Sequence, residues 1–284
     1  MKKKLLLNET IKQEKVFELI GILTIYIAIY FAVVISVATS FFETFELHNL
    51  NAFFNFNQGA IYLTIHDLIA LPIYFLMIYL MHKKSLFKVS QFVKTKNKTI
   101  ALCLLLGISM GTWVMSFLQI PLIKNSYPQF DELFDFLITG NVIFIILFIA
   151  LHSVYKEIFF RGMVFNQLRS VLSLPLAIFV NGLIYGYLFF YWDIMLTIYG
   201  MLGAIIFNLV YIWYESIWAT IAIEFSLFTS YFIFREMNYE FSWISISLNV
   251  ISSIVLIGTM YILWKQRKTV IAKNQVKGET VLHL

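Results

Sequence analysis

Charge is scarce in this chain. Of its 284 residues only 13% are Asp, Glu, Lys or Arg, where a soluble domain carries about a quarter. With 60% hydrophobic residues and a mean hydropathy of +0.81, that scarcity excludes a water-soluble globular protein. Proline is rare as well, at four residues, so little interrupts a helix. Cys103 stands alone, which excludes an intrachain disulfide and any CxxC metal pair; its default role is a small packing residue. Alternating ten-residue strands are missing too. The apolar runs are around twenty residues long, which favours membrane helices over a barrel. The MKKK start leads through a polar segment into an apolar run too long for a removable signal peptide.

What is present in quantity is aromatic, with 29 Phe and 16 Tyr. Eight apolar spans are predicted, near 16–42, 60–81, 99–123, 137–159, 172–192, 194–214, 216–234 and 244–264. The fold class is therefore all-α, a polytopic helical membrane protein. The sixth and seventh spans are joined so tightly around Glu215 that they are predicted to form an antiparallel hairpin. Gly107 with Gly111, and Gly182 with Gly186, form GxxxG patterns that allow close helix contact within the chain. Pro72 and Pro175 mark kinks or helix starts.

Lys and Arg set the orientation. Five fall in residues 1–15, six in 83–98, two in 161–170 and five after residue 264, against Lys124 and Arg235 alone in the alternate loops. By the positive-inside rule both termini are cytoplasmic. The expected organisation is a basic cytoplasmic N-terminus (1–15), a transmembrane domain (16–264) and a basic tail (265–284) too polar to fold by itself. These basic segments suit anionic lipid headgroups, and no nucleic-acid partner is expected. The long 43–59 loop is the main extracytoplasmic feature.

Ionisable residues inside a bilayer are costly and usually paired, often for function. His66 and Asp67 lie in the second span; His152, Lys156, Glu157 and Arg161 lie at the fourth; Glu224 is mid-way along the seventh. Glu157 and Arg161 have the spacing of a structural i,i+4 ion pair. His66 and Asp67 can cap or bridge helices. Glu224 needs an opposite charge, and Lys156 is the one best placed to reach it.

The segment KEIFFRG (156–162) resembles the EExxFRG motif of the CAAX protease and bacteriocin-processing family (CPBP, or Abi), multi-helix intramembrane proteins, many of them bacterial. NGLIYGYLF (181–189) follows the shape of that family's SxxFGxxH signature, and SIWATIAIE (216–224) that of its SIWxxxxxH run. The resemblance covers about 137–232. It implies that the first Glu of the pair activates water, that the histidines serve the oxyanion or a metal, and that the second Glu and the Arg support the site. Here Lys156 stands at the first Glu, and Phe189 and Glu224 at the two histidines; Glu157 and Arg161 are kept.

The Glu-to-Lys and His-to-Glu departures are complementary, so a Lys156–Glu224 salt bridge can fill the former site. Lys156, Glu157, Arg161 and Glu224 are then an ion-pair network, with His152, Tyr185, Phe189 and Trp218 lining the cavity. Three functions stay open. One is a catalytically silent member in a bacterial cell membrane, acting on a membrane-protein partner (bacteriocin immunity, or control of a sensor kinase or envelope enzyme) with no cofactor. Another is a divergent endopeptidase using Glu157 and Arg161, in which His152, Glu224 and Asp67 can rearrange around zinc. The last is a transporter or channel.

Overall fold

The structure is a computed structural model. It describes the backbone of residues 2–46, 58–190, 193–237 and 242–276, and the side chains of 13–40, 59–190, 193–237 and 242–267. Most of the 43–59 loop lies outside the described residues.

Every regular element among the described residues is helical. In order they are α1 (Lys2–Glu46), α2 (Gln58–His82), α3 (Leu86–Val89), α4 (Asn97–Leu118), α5 (Pro121–Ser126), α6 (Gln129–Ile138) and α7 (Val142–Glu157). A π-wound segment (Ile158–Phe165) runs on from α7 into α8 (Asn166–Val171). Then follow α9 (Leu174–Phe189), α10 (Ile194–Tyr214), α11 (Ile217–Glu236) and α12 (Trp243–Val276).

Among the described residues, seven helices are long and apolar enough to cross a membrane. The eighth apolar helix, α9, has 16 residues, about 24 Å at 1.5 Å per residue, short of a hydrocarbon core of about 30 Å.

Three boundaries differ from the sequence reading: the fourth span runs on to Val171 through the π-wound segment, and two others shift for local reasons. The third span stops at Leu118 because Pro121, which has no backbone N–H to give, starts the separate helix α5. The fourth span starts later, since Gly140 takes φ 137°, which a side chain would resist. Asn141 then caps α7, its side chain accepting from the Ile143 N–H. The residues between hold the short amphipathic helix α6, which buries Phe130, Phe134, Leu137 and Ile138 and turns Asp131, Glu132 and Asp135 outward.

The core is built on close backbone approach. A Cβ on Gly107 or Gly111 of α4 would collide with Ser226 Oγ or Ser230 Oγ and with the Ile223 or Leu227 carbonyls of α11, so the small residues bring the two helices together. α12 packs on α4 as well, with Asn249 donating to Ser116 Oγ at 3.2 Å. Glu215, at φ 47°, ends α10 in the left-handed conformation, and α11 begins two residues later at Ile217. That two-residue turn is pinned to the 83–98 loop, where Ser216 Oγ donates to Val93 O at 2.6 Å and Ile217 N to Gln91 O at 3.1 Å.

Candidate functional site

Residues 142–171 form one continuous helix, and the KEIFFRG segment lies where its winding changes from α to π. Such segments are rare and gather at functional sites. Gly162 serves a close approach here: a Cβ would collide with Ser90 of the 83–98 loop. The segment is clamped on its apolar faces too, since Phe159, Phe160 and Phe165 are fully buried.

Four charged side chains meet in this core, none more than 4% exposed. Arg161 Nη1 donates to Glu157 Oε1 at 2.9 Å. Lys156 Nζ donates to Glu224 Oε1, joining α7 to α11. Aromatic faces complete the enclosure. The Lys156 ammonium lies 4.5 Å from the centroid of Phe189, 4.9 Å from Tyr185 and 5.3 Å from Phe228. The Arg161 guanidinium lies 4.6 Å from Phe207 and 5.5 Å from the same Tyr185. Cations over ring faces gain electrostatic attraction, more so when desolvated. Tyr185 thus separates and serves both pairs. Phe207 and Phe228 went unnoticed in the sequence; Phe228 is four residues after Glu224, which puts both on one helix face.

A second polar cluster lies behind the first. Nδ1 of His66 and of His152 stand 2.9 and 2.8 Å from the two oxygens of Asp67. A carboxylate only accepts, so both rings donate. Asp67 is fully buried, and both His Nε2 atoms are buried with no partner among the described residues. His152 therefore ties α7 to α2 rather than lining the cavity, and its ring packs against Phe189 at 5.6 Å. Among the described residues no three His, Cys, Asp or Glu converge in an arrangement that can hold a metal ion.

Trp218, expected in the cavity wall, is elsewhere. It is 44% exposed and edge-on to Phe92 at 5.3 Å. Six residues before Glu224, it sits about 240° around α11 from it, so it faces the 83–98 loop. Tyr185 and Phe189 do line the cavity that Lys156, Arg161 and Glu224 share. At the far wall of that cavity is α6, where burial pushes the Asp131 carboxyl above the usual range, opposed by the charge of Lys124.

Residues 138–227 match the family model described as Type II CAAX prenyl endopeptidase Rce1-like. Over those residues the chain is similar to that family. The match runs from the end of α6 into α11, about a third of the chain, and takes in both ion pairs with Tyr185 and Phe189. It lies within the segment of the CPBP resemblance, about 137–232, and takes in its three motifs. No curated protein and no solved structure matches the chain. With seven helices among the described residues fit to span a membrane, the protein is a multi-pass membrane protein whose segment 138–227 is similar to a type II CAAX endopeptidase.

Proposed function

We propose that this protein is a catalytically silent Rce1-like protein that works by binding within a bacterial cell membrane, both termini on the cytoplasmic side. The observation that carries the reading is the Lys156–Glu224 contact. It occupies two of the positions at which the CPBP resemblance places a water-activating carboxylate and a histidine. Peptide hydrolysis needs a base beside a water and donors aimed at the developing oxyanion. A lysine held as an ammonium between aromatic rings has no lone pair with which to take a proton from water. Phe189, at the other histidine position, has none. The partner is a membrane protein engaged through lateral helix contacts or the basic loops; bacteriocin immunity and the control of a sensor kinase or envelope enzyme are the roles this architecture suits.

A divergent endopeptidase is the second reading, favoured by the family match itself and by the Glu157–Arg161 pair it retains. One experiment separates the two. Newly formed peptide termini are compared in membranes of a deletion strain carrying no copy, wild type, or Glu157→Gln at matched expression. Termini that depend on wild type alone establish a protease. Rescue of the strain without any such termini supports the binding protein.

A further inference from the structure

A cavity of about 580 Å³ lies beside the charged node. Residues of α10, α4, α11 and α12 line it, together with residues of α5 and α6. Trp113, Phe117, Phe134, Ile198 and Leu256 are typical of its lining, which is mostly apolar and carries charge only at Lys156, Arg161 and Glu224. Met195 and Leu202 on α10 and Ile257 on α12 belong to the same lining yet are 44%, 57% and 67% exposed. Both helices are long and apolar enough to span a membrane, so between them the cavity opens toward lipid.

Size, charge and one missing hydrogen bond narrow what can enter. The volume is that of a small-molecule site, about 300–1,000 Å³. One turn of helix, about 10–12 Å across and 5.4 Å long, takes up most of it, so a spanning segment of a partner does not fit. A hydrocarbon chain does. The four charges at the node cancel in pairs, Lys156 with Glu224 and Arg161 with Glu157. A charged head would arrive there without a counter-charge in a desolvated place. A neutral head meets a waiting donor, because Arg161, 1% exposed and lining the cavity, has an Nε–H with no acceptor among the described residues. A buried donor left unmade is unfavourable, and an uncharged oxygen relieves it.

We infer that the cavity binds one neutral single-chain amphiphile from the bilayer. Its hydrocarbon enters between α10 and α12, and its hydroxyl or ester carbonyl oxygen accepts from Arg161 Nε–H. The inference rests on the reading of the core as catalytically silent.

Gly203 provides the test, because it lines the cavity and a Cβ there meets nothing within 4 Å. Gly203→Phe fills the cavity from its wall, and Gly203→Ala leaves it open. Purified full-length protein in neutral micelles is irradiated with a photoactivatable long-chain alcohol, and separately with the carboxylic acid and the amine of the same chain. Labelled residues are mapped by mass spectrometry. The alcohol is expected to label the walls on α4 and α10, more strongly than the acid or the amine. Unlabelled monoacylglycerol suppresses the labelling. It falls several-fold in Gly203→Phe and persists in Gly203→Ala, both melting like wild type. Arg161→Lys, which keeps the charge but removes Nε, abolishes the preference for the alcohol. Equal labelling of wild type and folded Gly203→Phe overturns the site. Stronger labelling by the acid or the amine overturns the neutral head. The probes hold no hydrolysable bond, so these outcomes stand apart from the peptide-terminus comparison, which alone decides whether the core cleaves.

Discussion

The ammonium of Lys156 on α7 meets the carboxylate of Glu224 on α11, 68 residues further along the chain, inside a ring of Tyr185, Phe189 and Phe228. Breaking a buried pair strands one charge, which costs about 3–5 kcal/mol. Lys156→Ala and Glu224→Ala are each expected to lower unfolding stability in mixed micelles by that order. Because the residues are direct partners, their losses do not add. The double mutant is expected to be no worse than either single one. Strictly additive losses sink the pair as an energetic unit.

Asp67 is the hub of the second cluster, and its replacement has a graded signature. It accepts from two histidines on two helices, and hydrogen bonds to a charged group contribute about 1.5–3 kcal/mol each. Asp67→Ala removes both at once and separates α2 from α7; His66→Ala and His152→Ala each remove one. The order of stability measured by chemical unfolding is therefore expected to be wild type, then either histidine variant, then Asp67→Ala. A His152→Ala protein less stable than Asp67→Ala contradicts the hub.

How much of this was legible in the chain follows from what fixes each feature. A bilayer forces long apolar helices, so most spans could be read from composition and length. The break at Pro121 and the stop at Gly140 were visible as residues, but helices as short as α5 and α6 leave no long apolar run to reveal them. The complementarity of Lys156 and Glu224 was readable because a family pattern put both on one site. Nothing in the sequence pairs Asp67 with His152, 85 residues apart, since a polar partner is chosen by which helix faces turn toward each other. Trp218 shows the converse. It belongs to the same SIW run as Glu224, yet helical rotation carries it to another face.

Close packing of α4 on α11 sets a third expectation. Gly107→Leu drives a side chain into Ser226 and the Ile223 carbonyl, and backbone has no rotamer to yield. Overpacking of this kind costs about 1–3 kcal/mol. Gly107→Leu and Gly111→Leu are expected to lower the melting temperature and to reduce the yield of folded protein after detergent extraction. Gly258→Leu on α12, where an added Cβ meets open space, is the control and should leave both unchanged. If Gly107→Leu behaves like that control, the two helices do not touch as described.

The aromatic ring around Lys156 also predicts a chemical rescue. Lys156→Ala removes the ammonium but keeps Glu224 and the three ring faces that held it, and the neighbouring cavity gives a small molecule a way in. Ethylammonium carries the same charged group on a short apolar stem, so it should settle where Nζ was. A ligand at ten times its Kd stabilises by about 1.4 kcal/mol, a shift of a few degrees in Tm for a chain of this size. The melting temperature of Lys156→Ala is expected to rise with ethylammonium chloride and not with sodium chloride at equal ionic strength. Wild type, whose ring is full, should not respond, and neither should Lys156→Ala with Glu224→Ala. Ethanol at the same concentration separates the charge from the stem: rescue by ethanol as strong as by the amine would mean that packing alone, rather than the buried cation, had been lost. Without Glu224 the rings face an ammonium with no counter-charge, and desolvation then outweighs their attraction. The double variant therefore tells whether the carboxylate or the aromatic faces hold the cation in this core.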